Sequence, residues 1–167
     1  MFLTDDELPM LNSLASTNKR ISKNSFTAPQ TKTQMPVVLI VEDDADSRLM
    51  LRLLLEAWQY RVVEATNGIE ALHIAGKESP DLILMDIKMP LLDGFETTRH
   101  LRASGKIDGV PIVFLSGCAE EIHRRNAFAV GASEYLLKPL DFEQLEQILD
   151  RYTGKGYASL ITKVEIV

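Results

Sequence analysis

Six polar side chains stand directly after strand-like apolar segments and could carry out ionic chemistry. They are Glu42, Asp43, Asp44, Asp86, Ser116 and Lys138. Because ligands bind outside the carboxyl ends of the strands in an open α/β sheet, we expect these groups to meet in one crevice. Two carboxylates about 4 Å apart repel by roughly 4 kcal/mol at an effective dielectric constant near 20. Such a crevice therefore requires a cation or a raised carboxyl pKa.

The types of these side chains indicate Mg²⁺ and a phosphate as ligands of the crevice. Mg²⁺ prefers oxygen ligands, typically one or two carboxylates together with waters and a phosphate oxygen. Glu42, Asp43 and Asp86 supply the carboxylates. Lys138 is a compact cation suited to a phosphoryl oxygen, and the Ser116 hydroxyl can donate to another. Asp44 is a third acid in its run, for which a helix N-cap is favoured over a metal ligand.

The elements that position these residues alternate between strand and helix five times, which predicts a doubly wound α/β fold with a five-stranded parallel sheet. Buried strands are indicated by continuous apolar runs such as Val37–Val41. The predicted strands are Val37–Val41, Arg61–Ala65, Leu82–Met85, Pro111–Leu115 and Ser133–Leu136. The predicted helices are Ala45–Trp58, one opened by Asn67 and Gly68, Phe95–Ala103, Ala119–Val130 before Gly131, and Asp141–Tyr152. The apolar residues expected to face inward are Leu49, Leu53 and Leu54, then Ile69, Leu72 and Ile74, then Phe142, Leu145, Ile148 and Leu149.

The chain divides into three parts by composition. Residues 1–35 are predicted to be a flexible extension, because residues 16–35 hold few large apolar side chains. A short helix capped by Thr4 and Glu7 is the alternative near the start. Residues 36–153 form the predicted domain. Residues 154–167 are expected to be a tail, although a strand or a docking helix would also fit.

Charge and composition exclude several classes of protein. The formal net charge of −6 argues against a nucleic-acid-binding surface. The single cysteine, Cys118, has no partner for an internal disulfide. The start of the chain does not read as a signal peptide, and the longest apolar run is far shorter than the roughly 20 residues that span a bilayer. We therefore expect a cytoplasmic protein without membrane or nucleic-acid contacts.

Four sequence fragments resemble the receiver domain of bacterial two-component response regulators. They are VLIVEDDADSR, LILMDIKMPLLDGFE, VFLSG and GASEYLLKPL, together with the order and spacing in which they occur over Pro36–Thr153. The resemblance implies a flavodoxin-like, three-layer (βα)5 sandwich. It also implies a stand-alone phosphorelay switch similar to the chemotaxis receivers.

The resemblance assigns a role to each residue of the crevice. Asp86 would accept a phosphoryl group from a phosphohistidine on a histidine kinase or a histidine phosphotransfer protein. Asp43 and Asp86 would bind Mg²⁺ directly, Glu42 would bind it through water, and the backbone carbonyl of Lys88 would complete the protein's share of the ligands. Lys138 would bind the phosphoryl group.

The resemblance also implies a switch and its output surface. Pro139 would follow a cis peptide bond that aims Lys138. Ser116 would swing towards the phosphoryl oxygen and let Tyr135 turn inward. This movement would reshape the face formed by the fourth helix, the fifth strand and the fifth helix, which would bind a downstream protein. A homodimer is also compatible with the resemblance.

Two alternatives remain open beside the phosphoacceptor. The first is a constitutive interaction module that keeps the fold without phosphotransfer, although such modules usually lose the acid pair or the lysine. The second is an aspartyl phosphatase of the haloacid type, which carries an aspartate two residues after its nucleophile. Here that position is Lys88, so we expect no enzyme beyond slow self-dephosphorylation.

The remaining reactive side chains are interpreted as structural. Cys118 has no helix-borne base next to it in sequence, so a nucleophilic role is not expected. His73, His100 and His123 are interpreted as surface or core histidines.

Overall fold

The computed structural model describes residues 35–155, which form a single parallel sheet covered by helices on both faces. The strands are β1 (Val37–Val41), β2 (Arg61–Ala65), β3 (Leu82–Asp86), β4 (Ile112–Ser116) and β5 (Glu134–Leu137). The helices are α1 (Ala45–Ala57), α2 (Gly68–Glu78), α3 (Gly94–Ala103), α4 (Glu121–Ala129) and α5 (Phe142–Thr153). Within these residues, no helix is long and apolar enough to cross a membrane.

The strand order is β2-β1-β3-β4-β5, and all neighbouring strands are parallel. Because side chains alternate across a strand, β1 contributes to two separate cores. Val38 and Ile40 pack with residues of α1 and α5, whereas Leu39 and Val41 pack with residues of α2, α3 and α4. The predicted three-layer, doubly wound α/β fold is confirmed.

Three predicted helix faces are wrong in part. In α1 the fully buried side chains are Leu51 and Leu55, whereas Leu49 and Leu53 are exposed. Leu54 is only partly buried. Leucines surround most of this helix, so their spacing does not distinguish the core face from the solvent face.

In α2, small residues form the buried face. In α5, the first residue does not face inward as predicted. Ala71 and Ala75 are buried in α2, where Leu72 and Ile74 are only partly buried and Ile69 is exposed. In α5, Leu145, Ile148 and Leu149 face inward as predicted, but Phe142 is exposed.

Four of the five helices begin with a side-chain cap. Asp44, Asn67, Asp93 and Asp141 each accept a hydrogen bond from a backbone N–H in the first turn. Such a bond satisfies an amide that the helix itself leaves without a partner. Helix α4 begins after Glu120, whose side chain makes no capping bond. The first turn of α4 is therefore less well fixed than those of the other helices.

The proposed N-terminal extension and C-terminal tail lie almost entirely outside the described residues. This applies to the Thr4–Glu7 capping box and to the assignments for residues 156–167. Gly154 ends α5 in a left-handed conformation, with φ of 71°.

Candidate functional site

The carboxyl ends of β1, β3, β4 and β5 bring the predicted polar residues into one cleft. Asp86 is the last residue of β3 and pairs with Leu115 of the neighbouring strand. Glu42 extends β1, because its amide donates to the Ala65 carbonyl at 3.1 Å. The exposed fractions are 2% for Glu42, 6% for Asp86 and 4% for Ser116. Backbone pairing therefore fixes three buried polar side chains at the edge of an apolar sheet.

Lys138 joins the two buried carboxylates. Its Nζ lies 2.5 Å from Asp86 Oδ1 and 2.7 Å from Glu42 Oε2. Burial raises the pKa of Glu42, and repulsion from Asp86 adds to this effect, while the contact with Lys138 opposes it. Burial alone would lower the pKa of Lys138, but hydrogen bonds to Asp86 and Glu42 outweigh it and raise that pKa. One ammonium therefore faces two carboxyl groups.

Asp43 adds a third carboxylate at the exposed side of the cleft. Carboxylate oxygens of Glu42, Asp43 and Asp86 all lie within 4.8 Å of one another. Three oxygen donors at such distances suit a hard divalent cation, and a cluster with a single ammonium has surplus negative charge. The residues present therefore fit Mg²⁺.

The loop after β1 is held by a cap and by an arginine. Asp44 Oδ1 accepts a hydrogen bond from the Ser47 amide at 2.8 Å, and this bond lowers the pKa of Asp44. Arg48 donates to the carbonyls of Glu42 and Asp43 at 2.9 and 3.2 Å. Asp44 thus caps α1, as the sequence favoured, and Arg48 ties the first turn of α1 to the backbone of the acid pair.

Gly94 lets α3 approach the backbone of Asp86. A Cβ atom at this position would lie 2.4 Å from the Asp86 carbonyl oxygen, closer than real Cβ contacts allow. The Gly94 amide donates to the carbonyl of Ile87 at 3.0 Å. The role of Gly94 depends on this contact, which the spacing of residues in the sequence does not reveal. Lys88 follows Ile87 with an exposed side chain and lines the cleft.

Ser116 and Tyr135 are connected through the backbone of Cys118. The Cys118 amide donates to Ser116 Oγ at 3.1 Å. Tyr135 donates its hydroxyl to the Cys118 carbonyl at 2.7 Å, and its ring packs against the core. The peptide bond between Lys138 and Pro139 is cis.

Cys118 has no helix-borne base next to it in sequence, but the fold brings one beside it. His123 lies in the first turn of α4, and its Nδ1 is 3.4 Å from Cys118 Sγ. The same nitrogen is 3.4 Å from a carboxylate oxygen of Glu120. The Cys-x-Glu-x-x-His spacing at the start of a helix was the available signal. His73 and His100 are exposed on their helices, in agreement with a surface role.

Comparisons with known proteins agree with this fold. Protein PilH of Pseudomonas aeruginosa is 35% identical over 111 residues, which cover 66% of this chain and 92% of PilH. Other curated relatives are longer, and the chain spans 46% to 52% of three of them.

Solved structures that are similar to this chain include two receiver domains. One is the receiver domain of the sensor histidine kinase PA1611 from Pseudomonas aeruginosa PAO1, which has a magnesium ion coordinated in its active-site cleft. The sequence identity is 35% and the TM-score 0.68, covering 72% of this chain and 99% of that domain. The other is the receiver domain of the Saccharomyces cerevisiae response regulator Ssk1, in complex with the histidine phosphotransfer protein Ypd1. The identity is 28% and the TM-score 0.67, covering 73% and 91%.

The family model of the response regulator receiver domain matches residues 38–150. This range contains all of the sheet except Val37, and it contains the cleft formed by Glu42, Asp43, Asp86 and Lys138, which we call the acidic cleft. The chain therefore belongs to the response regulator receiver domain family of two-component signalling.

Proposed function

We propose that Asp86 accepts a phosphoryl group from a phosphohistidine in a Mg²⁺-dependent reaction, as one step of a phosphorelay. The observation that carries this proposal is the geometry of Asp86. Its buried carboxylate shares the ammonium of Lys138 with Glu42 and lies within 4.8 Å of Asp43. The similarity to a magnesium-bound receiver domain and to a receiver domain bound by a phosphotransfer protein supports the proposal.

The transfer makes and breaks one bond to phosphorus. An oxygen of the Asp86 carboxylate attacks phosphorus, the P–N bond of the phosphohistidine breaks, and the electron pair of that bond stays on the departing imidazole. Lys138 moves from its two carboxylates to an oxygen of the transferred group. Phosphoryl transfer depends mainly on positioning and on charge stabilisation, which suits a site whose acid and ammonium are already in contact.

Asp43 and Asp86 would hold Mg²⁺ directly, with Glu42 bound through water and the Lys88 carbonyl as a further ligand. The ion supplies positive charge for the equatorial phosphoryl oxygens and offsets the surplus of carboxylates. Arg48 supports this arrangement indirectly, because it fixes the carbonyls of Glu42 and Asp43.

The output would be a change of surface beside β5. Ser116 would turn its hydroxyl from the Cys118 amide to the phosphoryl group, and Tyr135 would respond through the same residue. The neighbouring surface exposes the apolar side chains of Ile122 and Leu137, which are 57% and 46% exposed. We propose that this face of α4, β5 and α5 binds the downstream protein or a second copy of the chain.

The protein would act as a phosphoacceptor and not as an enzyme with rapid turnover. In the cleft, the buried carboxylates of Glu42 and Asp86 are bonded to Lys138 or assigned to the metal. Neither is available as a general base for water, so hydrolysis of the aspartyl phosphate would be slow.

Radiolabelled acetyl phosphate tests the proposal on the full chain. We expect labelling of the wild type that requires Mg²⁺, loss of the label in Asp86→Asn, and full labelling of Asp108→Asn. Asp108 is an exposed aspartate outside the cleft, so it controls for the amide substitution. A wild type that takes no label, or an Asp86→Asn protein that is labelled equally well, contradicts the proposal. The constitutive interaction module would account for the first outcome.

A further inference from the structure

A second group of metal-binding side chains lies on the loop between β4 and α4. It consists of Cys118, Glu120 and His123, which we call the Cys118 cluster. The thiol sulfur, one carboxylate oxygen and one imidazole nitrogen all lie within 4.8 Å of one another. Cys118 is partly exposed, and the side chains of His123 and Glu120 are 39% and 69% exposed. An ion in solvent could therefore reach all three groups.

The contacts within the Cys118 cluster cannot all be hydrogen bonds at once. Both Cys118 Sγ and Glu120 Oε2 approach the same atom, His123 Nδ1, at 3.4 Å. A neutral imidazole nitrogen either accepts the thiol proton or donates its own proton to the carboxylate. Among residues 35–155, neither the thiol nor the Glu120 carboxylate has another polar partner. One divalent cation would satisfy all three groups simultaneously.

We propose that the Cys118 cluster binds Zn²⁺, with water as the fourth ligand. Zinc bonds of about 2.3 Å to sulfur and about 2.0–2.1 Å to nitrogen and oxygen place tetrahedral ligand atoms roughly 3.3–3.6 Å apart. The two distances of 3.4 Å around Nδ1 already match this spacing. Glu120 completes the site by rotation of its exposed side chain. Binding releases the thiol proton to solvent, and the thiolate and carboxylate together neutralise the ion.

The choice of donors separates this site from the acidic cleft. Sulfur and imidazole ligands favour zinc and similar transition metals, whereas carboxylates and water favour Mg²⁺. The two sites are also adjacent, because the backbone of Cys118 bonds both Ser116 and Tyr135. A zinc ion on the Cys118 thiolate would hold that backbone in the arrangement described here.

The zinc site can be tested with Co²⁺ on the reduced full chain, in a buffer with a non-chelating reductant. A thiolate ligand gives Co²⁺ an intense charge-transfer absorption in the near ultraviolet, which oxygen ligands do not give. We expect one equivalent of Co²⁺ to produce this band and Zn²⁺ to abolish it by displacement. Cys118→Ser should lack the band, and His123→Gln should weaken Co²⁺ affinity by at least roughly tenfold.

Two control variants make the result specific. His100→Gln changes an exposed histidine on another helix and should leave the Co²⁺ titration unchanged. Asp86→Asn should also keep the band, so failure of phosphotransfer and failure of the zinc site can be distinguished. A wild type that shows no thiolate band overturns the inference. So does a His123→Gln protein that binds Co²⁺ as tightly as the wild type.

Discussion

The acidic cleft and the loop after β4 lie at the same edge of the sheet, but the fold holds them very differently. Glu42 and Asp86 are almost fully buried and are positioned by strand pairing. Cys118 and Glu120 lie on a partly exposed loop, before the one described helix that begins without a side-chain cap. The buried part is suited to chemistry that needs fixed positions, and the loop is suited to changes of conformation.

The same difference extends to electrostatics. In the cleft, burial and repulsion raise the pKa of Glu42, and Lys138 offsets only part of the charge. In the loop, solvent screens the charges, so the exposed pair of Glu120 and His123 contributes little to stability. Substitutions in the cleft should therefore have large effects on function, and substitutions in the loop should have small effects on stability.

The largest expected effect is a decrease in the rate of phosphorylation caused by Lys138→Met. This change removes the ammonium that contacts Asp86 and would stabilise the transferred oxygen, and the loss of one such group typically slows a reaction about 100-fold or more. The rate of labelling by acetyl phosphate measures it. Lys77→Met replaces a lysine whose side chain is 72% exposed, and it should label at the wild-type rate. Equal rates for Lys138→Met and wild type would show that the cleft does not depend on this charge.

Gly94→Ala should cost about 1–3 kcal/mol of the free energy of unfolding, because the new methyl group collides with the backbone of Asp86. Urea unfolding monitored by circular dichroism measures this cost. Gly76→Ala is the matched control in α2, where the nearest atom is 3.4 Å away on the flexible Lys106 side chain. Alanine is the better helix former, so Gly76→Ala should be neutral or stabilising. If both substitutions change the free energy of unfolding in the same direction, the close contact between Gly94 and the backbone of β3 does not determine the cost of a side chain at this position.

Substitutions at the N-caps of α1 and α4 should change the free energy of unfolding in opposite directions. Asp44→Ala removes the cap of α1 and should lower the free energy of unfolding. Glu120→Ser introduces a capping side chain before α4 and should raise it by a few tenths of a kcal/mol to about 1 kcal/mol. Thermal and urea unfolding of the metal-free protein measure both changes. Destabilisation by Glu120→Ser would mean that the start of α4 is better fixed than its hydrogen bonds indicate.

The smallest expected effect is a pH dependence that Glu42→Gln removes. The pKa of Glu42 is raised in the folded protein, so its proton stabilises the fold fully below about pH 4.5. That contribution is lost as the pH rises through the raised pKa. The metal-free wild type should therefore lose stability relative to Glu42→Gln as the pH increases over this range. Asp44 has a lowered pKa, so its contribution to stability changes with pH in the opposite direction. Contributions from such carboxyls are common to both proteins and cancel when the two stabilities are subtracted. A difference that does not vary with pH would contradict this assignment.

The strands and the cleft could be predicted from sequence because each depends on a local signal. An apolar run such as Val37–Val41 marks a buried strand, and parallel strands bring the residues that follow them to one edge. Glu42, Asp86 and Lys138 therefore met as expected, although 52 positions separate Asp86 from its ammonium partner. The N-cap at Asp44 followed from residue type alone.

The failures have equally specific causes. The predicted inward position of Leu49 and Leu53 is wrong because α1 carries leucines on nearly every side. Only the position of the sheet selects Leu51 and Leu55 as the buried residues. The contact between Cys118 and His123 depends on how the loop turns into α4. Such a turn has no hydrophobic periodicity from which it could be predicted.

The position of Cys118 between two side chains has an energetic consequence. Its N–H donates a hydrogen bond to Ser116 Oγ, and its C=O accepts one from the Tyr135 hydroxyl. A rotation of the Cys118 backbone therefore breaks both hydrogen bonds together. At about 1 kcal/mol for each hydrogen bond, the two bonds would separate alternative loop conformers by a population ratio of roughly thirtyfold. Under the proposed mechanism, a ratio of that size would be small enough for one hydrogen bond from Ser116 to a phosphoryl oxygen to reverse, and large enough to keep the unphosphorylated protein mostly in one form.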